Sequence, residues 1–300
     1  MKPKVLVIVG PTASGKSALA VKLAKRFKGE IISADSRQVY RGMNIGTGKI
    51  TKKEMGGVPH HLLNVASPKN TFTVAKYKKL AEQAIKKILK RDKLPIIVGG
   101  TGFYIQSIVD NVFLPEVPPN KKLRENLEKK STAELFKILK KYDPKRAKTI
   151  DANNPRRLVR AIEIAKSLGQ VPSLNKKDSL YEFLQIGIRV DLKKLEGKIE
   201  KRLLARIKRG MVAEVKKLKN SGLSWQKLDS FGLEYRYIAR YLQGQLSKPE
   251  MIQQLKTAIL KYAKRQMTWF KKDKRIVWIE KLEQSEKLTK NFLLRSLSPK

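Results

Sequence analysis

Apolar residues follow two different periods in the first third of the chain. Residues 5–9 (VLVIV), 30–34 (EIISA) and 95–98 (PIIV) are short runs rich in β-branched side chains, typical of strands buried on both faces of a parallel sheet. Residues 17–26 and 76–91 instead repeat apolar side chains at the spacing of one helical face. This alternation of strand and helix predicts a doubly wound parallel sheet, and therefore an α/β fold.

The middle of the chain changes its pattern after PEVPP at residues 115–119. No strand pattern appears in residues 121–167, where two or three amphipathic helices fit. One of these helices begins at a capping box formed by Ser131 and Glu134. We therefore predict that residues 118–182 form a helical insertion domain.

The last third of the chain returns to a mixed pattern. Strand patterns resume at residues 183–190 and 275–280, so residues 1–117 and 183–300 are predicted to form one core. The polar stretch after Glu283 predicts a frayed terminus. Helical patterns between the two strands lie at residues 194–208, 212–220, 233–243 and 250–270.

Composition narrows the class of protein. With 300 residues and 41% hydrophobic side chains, the chain can form one large domain or one domain with an insertion. The absence of cysteine excludes disulfides, a thiolate zinc site and a cysteine nucleophile, and fits a reducing compartment. No apolar run reaches the roughly 18 residues of a membrane span, and the N-terminus does not resemble a signal peptide. We therefore expect a cytoplasmic protein that does not contact membranes.

Charge is the most unusual property of the composition. The chain has 67 Lys and Arg against 26 Asp and Glu, which gives a formal net charge of +41. So large an excess repels itself on a compact surface unless a polyanion is bound, and nucleic acid is the first candidate. A general lysine bias of the source proteome is the alternative, because the lysines are spread along the chain.

The octet GPTASGKS, residues 10–17, fits the phosphate-binding pattern G-x-x-x-x-G-K-[ST]. Gly10 and Gly15 allow several backbone N–H groups to converge on a phosphate, and the following helix turns its positive end towards it. Lys16 places a charge on the phosphate oxygens, and the Ser17 hydroxyl can bind a magnesium ion shared with them. The motif follows a strand and opens a helix, which is the context expected of a true phosphate site.

The segments around this loop lack parts that nucleotide hydrolysis needs. The strand at residues 95–98 ends in Gly-Gly-Thr, where an NTPase usually has an aspartate for the magnesium ion. No guanine-reading N/TKxD segment is present. The sequence therefore predicts a diphosphate or triphosphate pocket. The octet alone also fits a P-loop nucleoside or nucleotide kinase, which is the alternative function.

Two polar residues follow strands that end beside the loop. Asp35 follows residues 30–34, and Thr101 follows the Gly-Gly pair after residues 95–98. Ligands of open α/β sheets bind at the carboxyl ends of strands. If both residues are functional, a general base and a hydrogen-bonding hydroxyl face each other across the anion pocket. Asp35 equally fits a helix cap or a turn, and GGTG fits a tight turn.

Basic residues form a group in NNPRRLVRAIE, where Arg157 and Arg160 share one helical face and Arg156 joins them at the helix start. Such a group can contact phosphates of a nucleic acid, and it can equally be a solvated face of a basic protein. Arg236 lies beside Tyr237, a pairing that can stack on unpaired bases. We expect Trp269 and Phe270 to lie in the core.

Six segments in one order carry a family resemblance: GPTASGKS, ISADSRQVYRGMNIGTGK, GVPHHLL, IIVGGTGFYI, NNPRRLVRAIE and AKRQMTWF. On these segments the chain resembles the tRNA dimethylallyltransferases, also called isopentenylpyrophosphate tRNA transferases, from about Val5 to Trp278. The resemblance implies a P-loop-type core with a helical insertion that clasps the anticodon stem-loop of tRNA. It also implies transfer of a dimethylallyl group from dimethylallyl diphosphate to the exocyclic amine of the adenosine immediately 3′ of the anticodon. Diphosphate is then released, Mg²⁺ assists, and no ATP is used.

The resemblance also implies roles for single residues. Asp35 matches the general base, Thr101 its hydrogen-bonding partner, and Ser17 the metal ligand. The residues matching the grip on the diphosphate are Gly10, Pro11, Thr12, Ala13, Ser14, Gly15, Lys16 and Ser17. The residues matching tRNA contacts are Asp35, Ser36, Arg37, Gln38, Thr101, Arg124, Arg156, Arg157, Leu158, Val159, Arg160 and Arg236.

Three positions depart from the family pattern. Asn64 and Asn154 stand where the family usually has aspartate, and Glu234 stands where it often has glycine. None of these departures removes a residue that matches the catalytic pair. A monomer is expected.

Overall fold

The computed structural model describes residues 2–172 and 178–295. Six strands and fourteen helices lie in this part of the chain. The strands are β1 (Lys4–Val9), β2 (Gly29–Ala34), β3 (His60–His61), β4 (Leu94–Gly99), β5 (Glu182–Ile188) and β6 (Ile276–Ile279). The helices are α1 (Lys16–Arg26), α2 (Lys52–Met55), α3 (Val74–Leu89), α4 (Gly102–Val109), α5 (Lys121–Leu127), α6 (Thr132–Tyr142), α7 (Pro144–Ala147), α8 (Pro155–Leu168), α9 (Leu192–Lys208), α10 (Met211–Asn220), α11 (Trp225–Ser230), α12 (Leu233–Leu242), α13 (Lys248–Lys271) and α14 (Glu283–Leu294).

The six strands form one sheet in the order β3-β2-β4-β1-β5-β6, and every pairing is parallel. The predicted α/β fold with a doubly wound parallel sheet is confirmed. β4 lies between β1 and β2, so the loops that follow these three strands meet at one edge of the sheet. The order of strands thereby brings together segments that are far apart in sequence.

Strand β1 shows why the sheet is covered on both faces. Its side chains from Val5 to Val9 are fully buried, and they alternate between two apolar clusters. Val7 packs in the cluster that contains Tyr77 of α3, whereas Leu6 packs in the cluster that contains Leu23 of α1. Alternate residues of a strand point to opposite faces, so a continuous apolar run is what a central strand requires.

The chain divides into two compact units, Met1–Asn111 with Ser179–Lys300, and Val112–Asp178. The second unit contains the helical insertion, with boundaries several residues earlier than the predicted 118 and 182. The later boundary shifts because Tyr181 is buried in the apolar cluster of the sheet.

The helical unit is built from α5 to α8 around Leu135, Leu139, Leu158 and Ile162. The predicted capping box is confirmed, since the Ser131 and Glu134 side chains each bind the other's backbone N–H. Asn154 caps α8 by accepting a hydrogen bond from the backbone N–H of Arg157. Asparagine and aspartate cap helices about equally well, so this departure from the family pattern leaves the helix start intact.

Two expectations from sequence are wrong. The segment after Glu283 is the helix α14, in which Ser285, Thr289 and Phe292 are buried. The Ser285 and Thr289 hydroxyls donate to carbonyls of their own helix, at 2.5 and 2.7 Å, and this allows polar residues to face the protein interior. Trp269 is 39% exposed, whereas Phe270 is buried as expected.

None of the helices in residues 2–172 and 178–295 is both long enough and apolar enough to cross a lipid bilayer.

Candidate active site

A cavity of about 390 Å³ lies at the carboxyl ends of β1, β2 and β4. Its walls come from the phosphate loop, from the loop after β2, and from helices α9 and α13. The side chains and backbone groups that line it include Thr12, Ala13, Ser14, Gly15, Lys16, Ser17, Asp35, Gln38, Gly48, Glu54, Lys198, Arg202, Tyr262 and Gln266.

The phosphate loop folds into a concave backbone. Ala13 and Gly15 have positive φ values of 61° and 90°, and α1 begins immediately after at Lys16. Gly15 caps this helix without any side-chain hydrogen bond, so the first N–H groups of α1 point into the loop. Such a turn of successive N–H groups before a helix is an anion-binding arrangement. Gly10 and Pro11, predicted to bind the diphosphate as well, are not among the residues that line the cavity.

Lys16 lies at the centre of this loop. Its ammonium group donates to the carbonyl of Pro11 at 2.5 Å. Burial in the cavity and, to a smaller extent, the nearby Arg202 lower the pKa of Lys16 to about 7, and the charge of Asp35 opposes them. Lys16 as a whole is partly exposed, so it is the burial of its ammonium group that lowers the pKa. A bound anion would restore the charged form.

Asp35 serves a turn and faces the cavity at the same time. Its Oδ1 accepts hydrogen bonds from the backbone N–H groups of Arg37 at 2.8 Å and Gln38 at 3.2 Å. The turn-forming alternative is therefore correct for one oxygen. Within the described part of the chain, no hydrogen bond engages Oδ2, and Asp35 lines the cavity. The same carboxylate can thus shape the loop and accept a proton.

Thr101 joins the turn of Asp35 directly. Its Oγ1 accepts a hydrogen bond from the backbone N–H of Ser36 at 3.0 Å, and its own N–H donates to Ala34 at 3.2 Å. Asp35 and Thr101 therefore lie on neighbouring strand ends, and the expectation that they face each other across the pocket is corrected. The close pairing of β2 and β4 explains the difference, since Ala34 pairs with Gly99.

The loop after β2, which forms one wall of the cavity, is held in place by a carboxylate of α10. The Glu214 carboxylate accepts hydrogen bonds from the backbone N–H groups of Asn44, Ile45 and Gly46, between 2.7 and 3.0 Å. Tyr235 donates its hydroxyl to the same carboxylate at 2.8 Å. Charge-assisted bonds of this kind are stronger than neutral ones, so the loop has a fixed position.

Lys49 holds the same loop from within. Its ammonium donates to the Tyr40 carbonyl at 2.7 Å, to Asn44 Oδ1 at 3.0 Å and to Asn64 Oδ1 at 2.6 Å. Burial lowers the pKa of Lys49 to about 8, and the charges of Glu214 and Asp35 oppose that effect. Asn64, a departure from the family pattern, therefore acts here as a hydrogen-bond acceptor.

Several lining residues were not predicted from the sequence. Lys198 and Arg202 come from α9, and Tyr262 and Gln266 come from α13. Much of Arg202 is exposed, but its guanidinium lies beside the cavity and approaches the Gly48 carbonyl at 3.5 Å. Burial and the neighbouring Arg206 lower the pKa of Arg202 to about 10. The only sequence signal was the segment AKRQMTWF, which contains Gln266.

Glu234 forms an ion pair with Arg206 at 3.0 Å, and only 13% and 10% of the two side chains are exposed. Burial raises the pKa of Glu234 despite this partner.

Arg236, predicted to contact tRNA, pairs with Asp229 at 3.1 Å and remains partly exposed.

The predicted tRNA residues of the helical unit separate into two groups. Arg156 and Arg157 are exposed at the start of α8. Arg124 and Arg160 are ion-paired with Glu163, a carboxylate that is 1% exposed, at 2.6 and 3.2 Å.

Leu158 and Val159 require a correction. Leu158 is fully buried and Val159 is 6% exposed, and both pack in the apolar core of the helical unit. Their side chains are therefore not available to contact tRNA. They follow two arginines in sequence, but the arginines are exposed whereas Leu158 and Val159 pack in the interior of the helical unit.

The parallel sheet, with a loop of phosphate-binding sequence after β1 and the acid Asp35 after β2 at the same cavity, defines an α/β protein with a P-loop-like core. The family model described as IPP transferase matches residues 38–273. The chain belongs to the IPP transferase family.

Relatives and solved structures agree with this family. The tRNA dimethylallyltransferase of Anoxybacillus flavithermus is 42% identical over 285 residues, covering 93% of this chain and 91% of the relative. The tRNA dimethylallyltransferase 1 of Geotalea daltonii is 45% identical, covering 92% and 90%. The full-length tRNA isopentenylpyrophosphate transferase of Bacillus halodurans is similar in structure, with a TM-score of 0.73, 37% identity and coverage of 99% and 97%.

A structure of a eukaryotic dimethylallyltransferase acting on tRNA gives a TM-score of 0.77 at 26% identity, with coverage of 97% of this chain and 78% of that one. These likenesses do not favour the kinase alternative.

Proposed function

We propose that the protein transfers a dimethylallyl group from dimethylallyl diphosphate to the exocyclic amine of the adenosine immediately 3′ of the anticodon in tRNA. The observation that carries the proposal is the position of Asp35, which lines the same cavity as the phosphate loop and whose Oδ2 has no hydrogen-bond partner among the described residues. Membership of the IPP transferase family supports it.

The phosphate loop binds the diphosphate of the donor. The N–H groups at the start of α1 and the Lys16 ammonium surround the phosphates, and the Arg202 guanidinium lies at the same cavity. As the bond between the prenyl carbon and the diphosphate oxygen breaks, negative charge grows on the leaving group. Positive groups fixed in place beforehand stabilise this charge, which gives the prenyl carbon allylic-cation character.

Asp35 accepts the proton from the adenine amine while the new carbon–nitrogen bond forms. The amine is a weak nucleophile because its lone pair is delocalised into the ring, so removal of its proton must accompany attack. Thr101 fixes Ser36 and hence the turn that carries Asp35. The adenosine must leave the stack of the anticodon loop to reach this position, which costs a few kcal/mol.

Magnesium fits the residues of the loop. The Ser17 hydroxyl has no hydrogen-bond partner among the described residues, and hydroxyl and phosphate oxygens are suitable Mg²⁺ ligands. The described residues contain no cluster of three His, Asp or Glu side chains that could hold a metal alone, so Ser17 would hold the ion together with the substrate phosphates. When bound, the ion supplies further positive charge for the leaving diphosphate.

The tRNA surface is proposed from charge. Arg156 and Arg157 are exposed at a helix start, and the chain has a net charge of +41. Contacts of arginine with phosphates give affinity that decreases with salt. We therefore propose that the helical unit binds the anticodon stem-loop.

The test combines the protein, magnesium and dimethylallyl diphosphate with an unmodified anticodon stem-loop, followed by mass analysis of its nucleosides. We expect the mass of one adenosine to increase by that of the prenyl group less the hydrogen atom that it replaces. A stem-loop with inosine at that position is the matched control, because inosine lacks the exocyclic amine. Absence of any prenylated adenosine would contradict the proposal. Transfer of radiolabel from ATP to a small acceptor would contradict it as well.

A further inference from the structure

Gln266 of α13 connects two parts of the active site that are far apart in sequence. Its side-chain Oε1 accepts a hydrogen bond from the backbone N–H of Thr12, in the phosphate loop, at 2.8 Å. Its Nε2 donates to the backbone carbonyl of Gly100, after β4, at 2.9 Å. The residue is only 6% exposed, so these two bonds are made away from bulk water.

The backbone at Gly100 is shaped for this contact. A Cβ atom at position 100 would lie 2.1 Å from Gln266 Nε2, so only glycine permits the amide to approach so closely. An amide side chain suits the site because it carries one acceptor and two donors on adjacent atoms. The phosphate loop needs the acceptor, and the end of β4 needs a donor.

The network continues from β4 to the proposed base. Thr101 follows Gly100 and accepts the N–H of Ser36, which is next to Asp35. β4 lies between β1, which precedes the phosphate loop, and β2, which precedes Asp35. Gln266 therefore joins the loop after β1 to the end of β4, and Thr101 joins the end of β4 to the loop after β2.

The chemistry requires such a connection. The donor is held on one strand end and the base on another, and a near-attack geometry places the reacting atoms roughly 3 to 3.5 Å apart. A displacement of about 1 Å between the two sites can lower a rate about 100-fold. Side chains that lock the two loops together maintain the distance between leaving group, prenyl carbon and amine.

We propose that Gln266 is a positioning residue that sets the distance between the diphosphate-binding loop and the Asp35 turn. This role rests on the proposed prenyl transfer. Gln266 need not contact the reacting atoms, because both of its bonds are to backbone groups of the two loops.

The first test compares Gln266→Met with Gln185→Met. Methionine preserves the length of the side chain and removes both hydrogen bonds. Gln185 is the matched control because it is also buried, at 3% exposure, and donates to Asp273 at 3.3 Å without lining the cavity. Steady-state kinetics with the stem-loop and thermal unfolding are measured for the wild type and both variants.

For Gln266→Met we expect kcat to decrease about 10- to 100-fold, while KM for dimethylallyl diphosphate changes less than about threefold. Gln185→Met should retain wild-type kcat, even where its unfolding temperature falls by a similar amount. Equal kcat values for the two variants would overturn the positioning role. A loss confined to the unfolding temperature would also overturn it.

The second test places Gln266→Met in an Asp35→Asn background. If Gln266 acts by positioning Asp35, its removal should reduce kcat much less once the base is absent, because the two effects are not independent. If the reductions in kcat of the two single variants multiply in the double variant, Gln266 does not act through Asp35. Failure of the wild-type protein to prenylate the stem-loop would instead contradict the proposed function, and the role of Gln266 with it.

Discussion

Thr101 accepts a hydrogen bond from the backbone N–H of Ser36 at 3.0 Å, and this side-chain contact links the end of β4 to the turn that carries Asp35. Thr101 is also the N-cap residue of α4, but its side chain makes no capping hydrogen bond. Its hydroxyl is therefore free of a helix-capping task and serves the neighbouring loop. The hydroxyl oxygen is the acceptor, so any replacement that retains it should retain the geometry.

We expect Thr101→Val to lower kcat about 10-fold or more, because a part-buried N–H left without a partner costs about 1 to 3 kcal/mol and the turn can relax away from its position. Thr101→Ser keeps the oxygen and should remain within about threefold of the wild type. Single-turnover rates with saturating donor and stem-loop provide the measurement. A lower rate in Thr101→Ser together with a wild-type rate in Thr101→Val would indicate that the methyl group, and not the hydroxyl, matters, because valine keeps that methyl group and serine lacks it.

Replacement of Asp35 separates its two tasks. Asparagine retains Oδ1, which accepts from Arg37 and Gln38, but it cannot accept the amine proton. We expect Asp35→Asn to lower kcat by about 10² to 10⁴, with little change in the binding of dimethylallyl diphosphate. Asp35→Ala should additionally weaken binding of the stem-loop, because the turn is lost. An Asp35→Asn variant with wild-type kcat would exclude this residue as the base.

The pKa of Lys16 predicts a pH dependence of donor binding. Burial first, and then Arg202, lower this pKa to about 7 in the free protein, and a bound diphosphate favours the charged form. Affinity should therefore be greatest below about pH 7 and should fall as the pH rises above it, with uptake of a proton on binding. Titration calorimetry in buffers of different ionisation enthalpy measures that uptake.

Lys16→Arg is the matched control for this titration. Arginine stays protonated over the whole range, so the part of the pH dependence that belongs to the protein should disappear. The titration of the ligand itself is common to both proteins. Identical proton uptake by the wild type and by Lys16→Arg would show that Lys16 is already charged in the free cavity.

Local patterns allowed much of the fold and half of the site to be predicted. The phosphate loop is eight consecutive residues, and its conformation depends on the two glycines and the helix that follows. Asp35 and Thr101 were found because they end buried strands, whose apolar runs are visible in sequence. The order of the strands then determines that these three segments meet.

Residues that act across the fold were missed for a physical reason. Gln266 and Arg202 reach the cavity from α13 and α9, and no local period shows which face of a long helix will meet a loop more than 150 residues away. The buried face of α14 was missed because Ser285 and Thr289 satisfy their hydroxyls within the helix. Leu158 and Val159 were misassigned because the family resemblance was applied to every residue from Arg156 to Arg160, although adjacent residues of a helix do not share one face.

Arg157 offers a test of the tRNA surface. It is exposed and, within residues 2–172 and 178–295, its side chain makes no ion pair, whereas Arg124 is held by Glu163. We expect Arg157→Ala to weaken stem-loop binding and to reduce the slope of log affinity against log salt by about one. Lys86→Ala, an exposed lysine on α3, is the control and should leave the slope unchanged. An unchanged slope for Arg157→Ala would remove this residue from the proposed surface.

Glu234 stands where the family often has glycine, and it forms a buried ion pair with Arg206. Their side chains are 3.0 Å apart and nearly inaccessible, and Arg206 lies beside the cavity residue Arg202. Removal of one partner leaves a buried charge uncompensated, which typically costs about 3 to 5 kcal/mol. We therefore expect Glu234→Gln to lower the free energy of unfolding by an amount of this order. Donor affinity should weaken too, because the unpaired Arg206 repels Arg202.

The double variant Arg206→Met with Glu234→Gln distinguishes a charge effect from a packing effect. Removing both charges eliminates the uncompensated arginine, so most of the lost stability should return. Urea unfolding and calorimetric titration with dimethylallyl diphosphate measure the two consequences separately. If the losses in the free energy of unfolding are additive in the double variant, the two side chains stabilise the protein independently. Additive losses in donor affinity would mean that the ion pair contributes little to the position of Arg202.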